Sequence, residues 1–198
     1  NIMNNEFIKV KRDDLQGLYQ VLTNYPAISK EQVQNEMHKV FGEETFKPKD
    51  IMERVKTFED ACRELGIEPD KWLQDKAELG FEPDVIAYMK LRIICKALNE
   101  GWEPQFTEDE WRYYPWFTLW TEDELSEKSD EWKTDRHLIS TGEYQTDYAG
   151  LVYAFSNNAP SSSDASVGSR LCLKSDTLAV YCGKQFINIW ADFCLIRK

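Results

Sequence analysis

Apolar positions in the first hundred residues recur at the spacing of helix faces. Leu15, Leu18 and Leu22 lie on one face of a predicted helix over 7–25. The same spacing, bounded by cap residues, glycine or proline, predicts further helices over 29–40, 57–65, 69–79 and 84–99. Residues 1–100 are therefore predicted to form a helical region.

The next segment repeats one motif fourteen residues apart, first at 106–111 and again at 120–125. In each copy a Thr precedes Glu-Asp-Glu, beginning at Thr107 and at Thr121. A Thr followed three residues later by Glu is the pattern of a capping box, and the flanking apolar residues complete a hydrophobic staple. The motif predicts two short helices with acidic first turns, where carboxylates meet the positive end of the helix dipole.

The pattern changes again after Gly142. Alternating and β-branched residues predict a strand over 150–155 and a second short strand over 169–173, separated by a polar loop over 157–168. A helix with a broad apolar face is predicted from Ser175 to about Ile196. The predicted fold class is α+β, with a mostly helical N-terminal half and a small β-containing part, residues 101–198, that ends in a long core helix. Whether the two regions form one domain is left open.

Charge is concentrated in the middle of the chain. The 198 residues carry a net charge of −11. Residues 101–150 hold 4 basic and 13 acidic groups, a net −9, whereas residues 151–198 hold 5 basic and 3 acidic groups, a net +2. Acidic composition argues against unspecific nucleic-acid binding, which depends on Lys and Arg. No apolar run approaches the roughly 20 residues of a membrane span, so we expect no membrane partner.

Motifs that carry chemistry are missing from the sequence. It has no Walker A loop, no G-x-G-x-x-G and no G-x-S-x-G elbow, and the run Ser161-Ser162-Ser163 has no paired base. The five cysteines lack C-x-x-C spacing and sit mostly among apolar neighbours, as buried thiols do. We expect no catalytic residue, cofactor or metal, and favour a non-enzymatic protein. Without a visible secretory signal, the expected compartment is the cytoplasm.

Aromatic residues crowd the acidic segment. Eight large rings lie between Trp102 and Trp120. They can form a core, a partner interface of the Trp, Tyr and Arg type found in hot spots, or a stacking surface for single-stranded nucleic acid. The net −9 disfavours the last. The candidate partner-binding residues are Trp111, Arg112, Tyr113, Tyr114, Trp116, Asn157, Asn158 and Arg170.

Two stretches resemble a known group of proteins. Residues 96–106 (KALNEGWEPQF) with 113–117 (YYPWF), and residues 168–175 (GSRLCLKS) with 181–186 (YCGKQF), are similar to uncharacterised phage and prophage proteins of gut Bacteroidetes, including crAss-like phages. The resemblance covers roughly residues 85–196. It implies a phage or mobile-element origin and no catalytic residues. It also implies that the loop before Gly168 varies, as a recognition surface would.

Three functions follow as hypotheses. The first is a non-enzymatic protein–protein interaction or a virion or assembly role, in the cytoplasm of a bacterial host or in the virion. The second is an acidic inhibitor of a host protein that mimics nucleic acid with the carboxylates of residues 103–135. The third is a metal-dependent hydrolase, which requires at least three converging carboxylates. The sequence leaves the partner and the oligomeric state open.

Overall fold

Two units divide the chain, residues 1–49 and residues 50–198. The computed structural model describes residues 9–27, 29–42, 45–105, 107, 109–159 and 169–198. The predicted boundary near residue 100 concerns secondary structure and is a different division of the chain from these two units.

The first unit contains two helices, α1 (Arg12–Thr23) and α2 (Lys30–Phe41). Helix α2 was predicted within one residue at each end, whereas α1 begins at Arg12 and the described residues 9–11 before it are not helical as predicted. The Ser29 hydroxyl accepts a hydrogen bond from the Gln32 N–H as the N-cap of α2. Ile28, which precedes this cap at the position of a hydrophobic staple, lies outside the described residues. The two helices pack around Phe46, whose ring stacks with Tyr19 at 4.7 Å and with His38 at 5.7 Å between centroids. Neither helix contains a fully buried residue.

Four helices open the second unit: α3 (Ile51–Arg54), α4 (Phe58–Glu64), α5 (Pro69–Glu78) and α6 (Pro83–Leu98). The last three match the predicted helices within two residues at each end. Thr57 and Asp60 form a reciprocal capping box at the start of α4. Helix α6 is the centre of the main core, because its Leu91, Ile94 and Leu98 are fully buried.

A three-stranded antiparallel sheet follows, with strand order β1-β3-β2. Its strands are β1 (Arg112–Trp120), β2 (Ile139–Ser140) and β3 (Gly150–Ala159). Strand β3 was predicted over 150–155, whereas β1 was not predicted. Because β3 continues to Ala159, Asn157 and Asn158 lie in the strand and not in the predicted loop. The register between β1 and β3 shifts once, since Trp116 pairs with Phe155 and Phe117 pairs with Tyr153, which leaves Ala154 as an extra residue in a β-bulge. The predicted short strand at 169–173 is instead a 3-10 turn, Ser169–Leu171, followed by an isolated bridge between Leu173 and Tyr113.

The two copies of the acidic motif have different structures. Thr121 and Glu124 form the predicted capping box of α7 (Glu122–Ser126), and α8 (Asp130–Asp135) follows it. The helix predicted at Thr107 is wrong, because the described residues between 107 and 111 are not helical and β1 begins at Arg112. The Glu110 carboxylate accepts a hydrogen bond from the N–H of Gln105, a residue that precedes the motif, at 2.7 Å. From Arg112 onward the chain pairs with β3.

The predicted C-terminal helix consists of two helices, α9 (Asp176–Gln185) and α10 (Ile187–Cys194). Phe186, with φ −113° and ψ 25°, leaves the helical region and separates them. The break lets α9 lie across β1 and β3 while α10 packs against α6, and Phe186 itself is buried. Helix α9 approaches the sheet so closely that a Cβ on Gly183 would lie 2.6 Å from the Pro115 Cβ.

The described elements confirm the predicted α+β class: helices dominate, the sheet is small and antiparallel, and the C-terminal part ends in helices. Four of the five cysteines are buried, as the sequence indicated, while Cys194 is exposed. Within the described residues, no helix is both long enough and apolar enough to cross a membrane.

Candidate functional site

The sheet has two faces with different surroundings. On its inner face Phe117 and Tyr153 meet edge to face, and Phe117 lies 5.6 Å from the Trp190 ring of α10 between centroids. On the outer face, α7 covers one end: a Cβ on Gly150 would lie 2.9 Å from the Leu125 Cδ1 atom. The other end of the outer face carries exposed aromatic side chains.

Two exposed rings, Trp116 and Phe155, and their half-buried neighbours Tyr114 and Asn157 form what we call the outer-face patch. Trp116 and Phe155 are opposite each other in the register, and their rings stack at 5.8 Å between centroids with planes only 5° apart. They remain 45% and 53% exposed. Tyr114 and Asn157, the next opposed pair on this face, are half-buried. A contiguous apolar surface of this kind is typical of a binding site, unlike a single exposed apolar residue.

The bulge in β3 creates the patch. Without an extra residue, alternation along the strand would put Phe155 on the same face as Leu151 and Tyr153, which belong to the core. The extra residue, Ala154, reverses the alternation, so Phe155 joins Trp116 on the outer face. Phe155 was absent from the predicted site because the sequence shows no signal for this bulge.

Two predicted binding residues require correction. Arg112 is only 2% exposed, and Tyr113 packs against the main core and exchanges two backbone hydrogen bonds with Leu173, at 3.0 and 2.8 Å. The buried Arg112 is not available to a partner, and the half-buried Tyr113 uses its backbone in the bridge between β1 and the chain after the 3-10 turn. Trp111 and Asn158 are exposed, and none of the aromatic ring contacts among the described residues joins Trp111 to the patch.

Residues 101–150 are rich in carboxylates, and several of them act in caps. Glu124 accepts a hydrogen bond from the Thr121 N–H at 2.8 Å, which holds the pKa of the Glu124 carboxyl below its ordinary value. The Glu110 carboxylate accepts a hydrogen bond from the Gln105 N–H. The first turns of α7 and α8 expose the remaining acids, namely Glu122, Asp123, Asp130 and Glu131.

Arg170, the last predicted binding residue, lies in a second place, a groove of about 400 Å³. We call it the basic groove; its cationic side chains are Arg92 and Lys96 from α6 and Arg170 from the 3-10 turn. Asn99, Trp102, Glu103, Pro104 and Cys172 complete the lining. The structure therefore places Tyr114, Trp116 and Asn157 in the outer-face patch and Arg170 in the basic groove, and the other four predicted binding residues in neither.

Hydrogen bonds fix the floor of the groove. The buried Asn99 side chain donates to the Cys172 carbonyl at 2.9 Å and accepts from the Lys174 N–H at 3.0 Å. The Cys95 thiol contacts the Leu171 carbonyl at 3.5 Å. Burial raises the pKa of Cys172 to about 11, with the nearby Arg112 guanidinium opposing the rise, so this thiol is protonated and unreactive at neutral pH.

Other candidate chemistry does not converge in the described parts of the chain. There, no three His, Cys, Asp or Glu side chains come together in a group that could hold a metal ion, which is the arrangement a carboxylate-dependent hydrolase needs. The serine run Ser161-Ser162-Ser163 lies outside the described residues, as does most of the predicted 157–168 recognition loop.

No family model, curated protein or solved structure matches this chain. The resemblance of residues 85–196 to phage proteins therefore stays a prediction, and the function has to be argued from the surfaces themselves.

Proposed function

We propose that this protein acts by binding another protein through the outer-face patch, and that the partner presents a basic surface with an apolar anchor. The stacked, half-exposed pair Trp116 and Phe155 carries this proposal. Tryptophan and tyrosine are enriched among the residues that dominate binding energy at interfaces. The rings are held on paired strands, so little conformational entropy is lost when a partner binds.

Charge defines the chemistry of the partner. In residues 101–150 the 13 acidic groups outnumber the 4 basic ones. Several of those cations are engaged: Lys128 lies 4.8 Å from the Trp120 ring centroid, Arg112 is buried, and the Arg136 guanidinium donates to the Ala154 carbonyl. The exposed acids of α7 and α8 lie beyond the end of the outer face that α7 covers. Their charge attracts a basic partner to the molecule and repels an acidic one.

The resemblance to phage proteins gives this proposal a setting, a virion or assembly contact in a bacterial host. Mimicry of nucleic acid has fewer carboxylates to draw on than the 13 in the sequence, because Glu110 and Glu124 are used in backbone hydrogen bonds. A mimic needs its carboxylates free to replace phosphates.

The test is a selection from a random peptide library on the immobilised protein, counter-selected on a Trp116→Ala/Phe155→Ala variant. We expect the selected peptides to combine Lys or Arg with one large apolar residue. Their affinity should fall at least about tenfold, or about 1.4 kcal/mol, on the double variant. It should also fall as salt is added.

The matched control is Trp111→Ala, which removes a tryptophan of similar exposure (49%) outside the patch and should leave affinity unchanged. Selection of acidic peptides, or of peptides indifferent to the double variant, would overturn the proposal. Sedimentation of the protein alone tests whether a second copy of the chain occupies the patch. A dimer of the wild-type protein that is lost in the double variant would show that it does.

A further inference from the structure

The basic groove has a charge opposite to that of the whole molecule. In a chain of net charge −11 it gathers Arg92, Lys96 and Arg170, and among the described residues Glu103 is the one acid that lines it. Within the described residues, none of these three cations forms an ion pair. Lys174, nearby in the sequence, is instead paired with Glu100 at 3.0 Å. Three cations without carboxylate partners on one concave surface create a positive potential that favours an anion.

Position in the fold brings these cations together. Arg92 and Lys96 are four residues apart on α6, so their side chains lie on the same helix face one turn apart. Arg170 arrives from the 3-10 turn, more than seventy residues later, which Asn99 and Cys95 hold against the end of α6. Lys96, in the last turn of α6, also complements the negative end of the helix dipole. Arg170 lies outside the helix and has no such role.

The shape and lining indicate the kind of anion. About 400 Å³ is within the range of pockets that hold small organic ligands and exceeds what a single inorganic ion needs. Arginine guanidinium groups match phosphate oxygens in a two-point geometry. Trp102, half-buried in the wall, offers an aromatic surface on which a flat ring can stack.

We infer that the basic groove binds a free phosphorylated nucleoside, with its phosphate groups on Arg92, Lys96 and Arg170 and its base against Trp102. The buried hydrogen bonds of Asn99 keep the two sides of the groove in place before the ligand arrives. This site is separate from the outer-face patch, since the two share no residue.

Calorimetric titration with ADP as the probe tests the inference, with adenosine and inorganic phosphate as its two halves. We expect saturable binding of ADP, and binding at least about tenfold weaker for either half. Arg170→Gln and Arg92→Gln should each weaken ADP binding about tenfold, because each removes a charged contact to phosphate. The control Lys71→Gln removes an exposed cation from α5, outside the groove, and should have no effect.

The nucleoside half is tested at Trp102. Trp102→Ala should abolish the preference for ADP over phosphate, and Trp102→Phe, which keeps a ring, should preserve it; melting temperature reports whether either variant folds. The inference is overturned if ADP does not bind saturably, if Arg170→Gln binds it as wild type does, or if phosphate binds as tightly as ADP. A short 5′-phosphorylated oligonucleotide that binds more tightly than ADP would overturn the free nucleotide in favour of a strand end.

Discussion

The two faces of the small sheet use the same kinds of side chain for opposite purposes. On the inner face, Phe117 packs edge to face with Tyr153 and against the fully buried Trp190. On the outer face, Trp116 and Phe155 stack on each other and leave about half of their surface in solvent. The aromatic residues of the segment therefore have two different environments, since neighbouring residues on one strand face the core and the solvent in turn.

Removing one tryptophan from each side of the sheet should produce the largest difference. Trp190→Ala empties a core position and should cost about 3–5 kcal/mol of unfolding free energy. Trp116→Ala loses only a surface stack and should cost about 1 kcal/mol or less. Urea unfolding of both variants measures the two values. Similar losses would mean that the outer-face pair is part of the core.

A close approach on the inner face gives the second prediction. Gly183→Ala places a Cβ 2.6 Å from the Pro115 Cβ and 2.7 Å from the Tyr153 Cδ2 atom, so helix and sheet must separate. We expect a loss of about 1–3 kcal/mol, although alanine is normally favoured in helices.

Gly17→Ala in α1 is the matched control, because nothing lies within 4 Å of an added Cβ there. It should raise the stability of the first unit by up to about 1 kcal/mol. Thermal unfolding followed by circular dichroism measures both changes. A stabilising Gly183→Ala would contradict the close packing of α9 on the sheet.

Helix α7, which covers one end of the outer face, is the subject of the prediction with the smallest expected change in stability. Thr121→Ala removes the hydroxyl that accepts the Glu124 N–H and caps α7, which should cost about 1 kcal/mol. Amide exchange should become faster in α7 while β1 and β3 stay protected, since α7 lies over only one end of the sheet. An equal increase in exchange throughout the sheet would show that α7 supports the whole outer face.

The sequence predicted those elements whose signals are local. Thr57, Ser29 and Thr121 each cap the expected helix, and the apolar spacing of α6 is enough to place it. The motif at Thr107 has the same local signal, yet the chain there leads into a strand. Pairing of β1 with β3 decides the outcome, and that pairing joins residues some forty positions apart.

The candidate sites were partly predictable for the same reason. Trp116 and Arg170 were predicted from residue type and position. The place of Phe155 on the outer face depends on the β-bulge at Ala154, which the amino-acid sequence does not indicate. Arg112 looked like a surface cation and is buried, because burial depends on what packs over the strand. The basic groove could not be predicted, because it forms through contacts between the end of α6 and the chain near Cys172. A local sequence pattern carries no information on contacts between residues so far apart.

The most direct test of the outer-face patch is the affinity of one selected basic peptide for Trp116→Ala protein relative to Trp111→Ala protein. The two variants lose tryptophans of nearly equal exposure, 45% and 49%, so their difference isolates position. We predict a loss of at least about tenfold for Trp116→Ala and none for Trp111→Ala. Equal affinity of the two variants would contradict the claim that the patch is the binding surface.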